Sequence, residues 1–384
     1  MHIAYLVHDL ADAAVHRRAA MLKRGGADVY LGGFRRRPHH GQAELRTPVE
    51  LGRTGDAKLG ARAAAVAASA ARIGRLAPAV EGAEVILARN LEMLAIAVRA
   101  QRRFVPHARI VYECLDIHRL LLSKGLPGIM LRELETRLWH HTNAILTSSP
   151  AFVREYFTPR GFQGEILVVE NKVFAASSAA RAVACDKQPG PPWRIGYFGM
   201  LRCRRSLDVL KRLAAAMKGK VHVELRGVPS PAIFPDFRQE IGDAPHVSFL
   251  GPYEGIEALA HAYRQVQFAW TIDYYEAGQN SAWLLPNRLY ESIYFGAVPL
   301  ALKTVETGRW LQERSAGLLV GEDMEQELSA FFSVLTLDKY LGFAQAMDGI
   351  GLKSIAFDER DCKDLVEILR RPQGSFAFNA AAAA

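Results

Sequence analysis

Short apolar runs separated by longer amphipathic stretches recur along the chain. In the first half the runs are residues 3–7, 29–33, 85–88, 110–113, 144–147 and 166–169. Each is a mostly apolar block of strand length rather than an alternation, the pattern of a strand buried on both faces. Helical stretches lie between the runs, so the first half predicts a parallel, doubly wound α/β sheet. A second series follows at 195–198, 221–225, 247–250, 268–272, 298–302 and 318–320. Between the two series, residues 174–193 turn small, polar and proline-rich, as in Gln188-Pro189-Gly190-Pro191-Pro192, which reads as a linker. The predicted organisation is a domain over 1–173, a linker over 174–193, a second domain over 194–371 and an Ala-rich tail over 372–384.

Two segments break the apolar pattern with charge. The stretch from Leu285 to Leu300 sets Pro286, Asn287, Arg288 and, one turn later, Glu291 into an otherwise apolar helix start, then exits through Gly296 into a strand. Proline suits the first turn of a helix, and the N–H groups of a helix start favour an anion, so a phosphate beside Arg288 is expected. The second segment runs from Arg194 to Leu210 and reads as a strand, a turn at Gly199 followed by Arg202, Arg204 and Arg205, and a helix. A glycine there lets backbone approach a ligand, and the arginines neutralise one that is anionic.

Together these segments resemble the nucleotide-sugar-binding half of GT-B glycosyltransferases, in particular the family 4-like enzymes of bacterial polysaccharide assembly. The resemblance implies two Rossmann-like, doubly wound domains facing a cleft, with a C-terminal helix near 362–371 crossing back to the first domain. It implies a UDP- or GDP-linked sugar as donor, with no tightly bound cofactor. Glu291 takes the place of the glutamate that holds the donor ribose. Aligned on Leu207-Asp208-Val209-Leu210, Arg205 takes the place of the phosphate-binding lysine. Met200 stands where an arginine is usual, and Arg202 is the candidate replacement. Val169-Glu170-Asn171-Lys172-Val173 and Thr147-Ser148-Ser149-Pro150 resemble two further segments of that family. Retaining members carry a second glutamate eight positions before the ribose-binding one. Here that position is Trp283, with Glu276 in the preceding loop, so retention and inversion both stay open.

For the acceptor side, Glu113, Asp116 and His118 end the strand at 110–113, where parallel sheets place ligands. Asp116 is the candidate general base for an inverting transfer. The alternative is that Asp116 caps the next helix, with His118 packed beside it. Arg17 and Arg18, after the first strand, are candidates for a donor or acceptor phosphate.

Composition narrows the class. The 384 residues exceed one ordinary core, and half of them are apolar. Four cysteines lie far apart without a C-x-x-C, which indicates neither zinc nor a disulfide framework. The histidine pairs at 39–40 and 140–141 point apart on a helix or strand, so no metal is expected. The opening Met1–Val7 run lacks the features of a secretion signal, and no apolar run is long enough to span a membrane. The +8 net charge is confined to residues 1–170, which hold 24 Lys+Arg against 16 Asp+Glu, while 171–384 hold 24 of each. No nucleic-acid motif accompanies it. The expected partner is an anionic membrane surface, met by the spaced cations of an Ala-rich helix over 58–76 and by Arg35-Arg36-Arg37.

The expected protein is therefore a cytoplasmic glycosyltransferase, peripheral at the inner membrane face, that acts on a lipid-linked or oligosaccharide acceptor. A GT-B nucleotide-sugar epimerase and a non-catalytic carbohydrate- or nucleic-acid-binding module remain as alternatives.

Overall fold

The computed structural model describes residues 1–36, 47–54, 59–174, 181–182, 187 and 190–371. The expected tail, most of the expected linker, Arg37 and Lys58 lie outside them. The chain divides into two compact units. Unit 1 holds Met1–Thr147, Tyr156–Val169 and the chain from Glu359 onward, and unit 2 holds Ser148–Glu155 and Glu170–Asp358.

Unit 1 is built on seven strands, β1 (His2–Val7), β2 (Asp28–Arg35), β3 (Val49–Arg53), β4 (Val85–Arg89), β5 (Arg109–Cys114), β6 (Ala144–Thr147) and β7 (Glu165–Val168). All pair in parallel, in the order β3-β2-β1-β4-β5-β6-β7. β4 is buried along its whole length and β1 all but its first residue, as helices on both faces require. The helix Leu91–Phe104 shows how the sequence covers the sheet: Met93, Leu94, Ala97 and Ala100 fall on one stripe and are buried. β3 was not expected. Its Val-Glu-Leu-Gly-Arg sequence buries only Leu51, which is the signature of an edge.

The helix Glu359–Arg370 belongs to unit 1, not to a domain ending at 371. Its stripe of Cys362, Leu365, Val366 and Leu369 is buried, and it packs on the helix Ala13–Arg24. At the crossing a Cβ on Gly25 would lie 2.2 Å from the Cys362 carbonyl oxygen, so only glycine lets the backbones meet. Ser148–Glu155 likewise joins unit 2 although its sequence neighbours belong to unit 1.

Unit 2 carries a short parallel pair, β8 (Val173–Phe174) with β15 (Ala356–Phe357), and six further strands. These are β9 (Trp193–Leu201), β10 (Val221–Pro229), β11 (Val247–Phe249), β12 (Phe268–Trp270), β13 (Val298–Leu302) and β14 (Leu318–Val320). Their order is β11-β10-β9-β12-β13-β14, again all parallel. Strand order therefore reverses between β1 and β4 in unit 1 and between β9 and β12 in unit 2. Such a reversal opens a crevice beyond the carboxyl ends of the two strands, which is where open α/β sheets bind ligands.

β9 and β10 stay paired out to that rim through two glycines in register, Gly199 (φ +105°) and Gly227 (φ +132°). A Cβ on Gly227 would fall 1.8 Å from the Gly199 carbonyl oxygen. We predict that Gly227→Ala destabilises unit 2 by at least about 1–3 kcal/mol, from its backbone angle alone, and shifts the Gly199 turn. Denaturant unfolding checks this, and a variant as stable as the parent would contradict it.

Candidate functional site

At the rim of unit 2 the helix Arg204–Ala216 begins three residues after β9, and buried Cys203 sits at the junction. Its Sγ accepts from Ser206 N (3.4 Å), Ser206 Oγ (3.1 Å) and Tyr274 N (3.3 Å). One sulfur therefore ties the helix start to the loop after β12. Around that tie lie the arginines. Arg202 Nη2 donates to Asp273 Oδ2 at 3.2 Å, and its guanidinium stands 4.8 Å from the Tyr275 ring centroid. Arg205 lies 4.1 Å over the Tyr274 ring. Arg288, from the helix Asn287–Tyr294, reaches the same carboxylate at 4.0 Å and covers the Tyr197 ring at 4.9 Å. Burial works against the Arg288 charge, but Tyr197 and Asp273 outweigh it and raise its pKa above the ordinary arginine value. Three guanidiniums gather around Asp273 and the Tyr274 ring, beside a helix N-terminus that also favours an anion.

The short helix of Arg288 is held from below. Ser149 Oγ donates to the Trp283 carbonyl (2.5 Å), Thr307 Oγ1 to that of Leu284 (3.2 Å) and Asn171 Nδ2 to that of Leu285 (3.2 Å). Three successive carbonyls of an irregular turn thus each find a side-chain donor, as buried backbone must. Pro286 is the N-cap, with extended backbone, rather than part of the first turn as expected. Asn287 opens the helix. Glu291, one turn on from Arg288, lies partly exposed beside the buried Tyr263 hydroxyl, whose pKa is raised by burial and then by Glu291.

Unit 1 sorts its candidates differently. Glu113 is 0% exposed. It accepts from Arg18 Nε at 2.8 Å and Tyr5 Oη at 2.5 Å, with Arg89 Nη1 at 3.5 Å. Arg89 also donates to Tyr5 Oη (3.1 Å) and pairs with Asp12 at 3.4 Å. Burial and then Glu113 push the Tyr5 pKa far up, so its proton stays in the cluster. Glu113 as an acid or base and Arg18 as a phosphate ligand are therefore corrected: each is the other's buried partner. Arg18 turns inward because it shares a helix face with Val15, Ala19 and Leu22, while Arg17 on the neighbouring face is only half-buried. His118 caps the helix Arg119–Leu122, its Nδ1 accepting from Leu120 N at 3.3 Å. Asp116, the residue weighed as that cap, is instead exposed just beyond β5.

Sequence reading missed the group at the β1/β4 switch point. Asp12, the N-cap of the helix Ala13–Arg24, lies 3.8 Å from His8 and 3.4 Å from Arg89. Next to them Asn90 holds φ +72° at the end of β4. A polar residue straight after an apolar run was the available signal at His8 and Asp273. Among the described residues no cluster of three or more His, Cys, Asp or Glu has the arrangement of a metal site.

No protein-family model matches the chain. It is 43% identical over 376 residues to the succinoglycan biosynthesis protein ExoL of Rhizobium meliloti (strain 1021), covering 96% of this chain and 93% of that protein. Among solved structures, sucrose-phosphate synthase from Thermosynechococcus elongatus superposes with a TM-score of 0.69 at 14% identity over the whole of both chains. Anabaena HepE in complex with UDP and glucose gives 0.65 at 16%, covering 96% of this chain and 98% of that one. WaaG, a glycosyltransferase involved in lipopolysaccharide biosynthesis, gives 0.61 at 13%, covering 95% and 99%. At such identities these likenesses establish the fold, which is GT-B.

The two carboxylates near the end of β5 should separate cleanly in a stability measurement. Removing one partner of a buried charge cluster costs about 3–5 kcal/mol, so Glu113→Ala should lose that much in denaturant unfolding. Asp116→Asn, on the surface, should change stability by no more than about 0.5 kcal/mol. Equal effects would contradict the assignment of Glu113 to the core.

Proposed function

The chain belongs to the family of the succinoglycan biosynthesis protein ExoL and has the GT-B fold, and from that premise we propose that it moves a sugar from a nucleoside diphosphate sugar to a lipid-linked or oligosaccharide acceptor. Glycosyl transfer in polysaccharide biosynthesis follows from the family and the fold together. The observation that carries the finer reading is the arginine cluster around Asp273 at the β9/β12 switch point.

In this reading Arg202 and Arg205 meet the diphosphate and stabilise the charge that develops on it as the glycosidic bond breaks, in place of a metal. Arg288 keeps Asp273, and through it Arg202, in place. Glu291 accepts from the donor ribose hydroxyls, and the Gly199 turn admits the diphosphate to the backbone. Met200, Val228 and Leu250 leave apolar side chains exposed at the carboxyl ends of β9, β10 and β11, a surface suited to a flat base. Uridine is the first base to test, because HepE, which shares the fold, was solved with UDP-glucose. Asp116 takes the proton of the acceptor hydroxyl.

The acceptor reading rests on unit 1. Arg53, Arg72 and Arg75 line a hollow of about 150 Å³ with Phe34 and Leu51, and these cations suit an anionic membrane at its cytoplasmic face. Arg35, by contrast, is matched by Glu50 at 2.7 Å. Among the described residues no helix is long and apolar enough to cross a membrane.

Thermal shift against UDP and GDP tests the donor half directly. One of the two should stabilise the protein. Because charge-assisted hydrogen bonds contribute about 1.5–3 kcal/mol, Glu291→Ala should weaken that nucleotide about tenfold or more. Arg205→Ala should lower turnover more than acceptor affinity. Unchanged nucleotide affinity in a folded Glu291→Ala protein would remove Glu291 from the donor site.

For the acceptor half, Asp116→Asn should lower the transfer rate by about 10²–10⁴ while leaving nucleotide affinity unaltered. A near-normal rate would instead favour a retaining transfer in which the donor phosphate accepts the proton, and the anomer of the product, read by NMR, would show which occurs.

A further inference from the structure

The helix Leu126–Trp139 of unit 1 is built inside out. Its inward face carries a carboxylate: Glu135 is fully buried and accepts from Tyr112 Oη at 2.9 Å, Tyr156 Oη at 2.6 Å and Arg160. Arg160 also lies 4.5 Å over the Trp139 ring and donates to the Arg132 carbonyl at 2.8 Å. Arg132 in turn fastens the preceding loop, donating to the carbonyls of Leu121 (2.8 Å) and Ser123 (2.5 Å). These contacts hold the helix in place. Its outward face then carries Leu126 and Met130, 76% and 71% exposed, with Ile129 and Leu134 exposed beside them.

Spacings of three, four and eight put these four side chains on one side of the helix. Leu126, Ile129 and Met130 occupy its first two turns, and Leu134 begins the third. The last turns of the same side are charged, with Glu133 and Arg137 paired at 3.0 Å. Fold stability accounts poorly for the apolar end, because Leu126 and Met130 leave most of their surface open to solvent. Contiguous exposed apolar surface of this kind marks a binding face.

We propose that the first two turns of this helix dip into the acyl boundary of an anionic membrane, with Leu126, Ile129 and Met130 as the inserted residues. Charge selects the occupant. Lys124 in the preceding loop and Arg119 in the helix before it are both exposed at the apolar end, where they would meet anionic headgroups. A second copy of the chain on the same face would instead oppose like charges. The location fits a lipid-borne acceptor, since Leu126 is ten residues beyond Asp116 and so within about 35 Å of it even for extended chain. The inference rests on the membrane reading of unit 1 but assigns the binding to a different surface, apolar rather than basic.

Flotation of the full chain with phosphatidylglycerol vesicles, at low salt and at about 0.5 M salt where the Debye length falls below about 5 Å, separates the two. Insertion predicts that a substantial part of wild-type binding survives high salt. The double variant Leu126→Glu/Met130→Glu should melt as the wild type does and lose at least tenfold of the high-salt binding. Arg72→Glu/Arg75→Glu should lose binding mainly at low salt. A double variant that floats like the wild type overturns the proposal and leaves the basic-surface reading standing. A wild type that floats at low salt only overturns it in the same way, and one that never floats overturns both. If sedimentation shows a wild-type dimer that the double variant abolishes, without lipid binding, the occupant is a second copy and the proposal is again overturned.

Discussion

A parallel strand covered on both faces has no place for a polar side chain except at its ends. The carboxylates that mark the two switch points, Glu113 and Asp273, accordingly lie at or just beyond strand ends, and such a charge must be paired, because an uncompensated buried charge costs several kcal/mol. The two units meet this constraint in different ways. At the end of β5, Glu113 is wholly buried and matched by Arg18, Arg89 and Tyr5. At the end of β12, Asp273 has a side chain 5% exposed, but its partner Arg202 is 40% exposed. The first cluster is closed and acts as structure. The second stays open to solvent, so the guanidiniums that Asp273 holds are accessible to an anion.

The open cluster depends on a turn that regular secondary structure does not support. Residues 284–286 join two short helices, and the carbonyls of Trp283, Leu284 and Leu285 at this junction are met by Ser149, Thr307 and Asn171, drawn from widely separated parts of the chain. This accounts for Ser148–Glu155 folding with unit 2. It also gives a physical role to Thr147-Ser148-Ser149-Pro150 and Val169-Glu170-Asn171-Lys172-Val173, segments that look unremarkable in isolation. They brace the helix start on which Asn287, Arg288 and Glu291 stand.

The fold was largely legible because buried parallel strands leave a strong pattern: all twelve apolar runs became strands, give or take a few residues at their ends. β3 escaped because an edge strand needs only one buried residue, and Val-Glu-Leu-Gly-Arg offers only Leu51. The arginine cluster was legible through Gly199, Arg202, Arg205 and Arg288, but its organiser Asp273 was not, because the Asp273 to Arg202 pair spans 71 positions. Glu113 and Arg18 misled for the same reason. A carboxylate at a strand end reads as a site until the tertiary structure brings an arginine from 95 positions away onto it. The inside-out helix Leu126–Trp139 was hidden too, since nothing local reveals that Glu135 points inward and Leu126 outward.

The resulting protein is a GT-B glycosyltransferase of polysaccharide biosynthesis with a cationic rim in one unit and a surface of mixed basic and apolar character in the other. Its central chemical claim is transfer of a sugar from a nucleotide to an acceptor. The most direct measurement is mass spectrometry of lipid and oligosaccharide acceptors after incubation of the purified protein with a panel of UDP- and GDP-sugars. The account predicts one nucleotide sugar whose hexose mass appears on an acceptor, with an equal amount of nucleoside diphosphate released. Nucleotide sugars that stay intact, or that change only in the configuration of the sugar with no acceptor gaining mass, would contradict it.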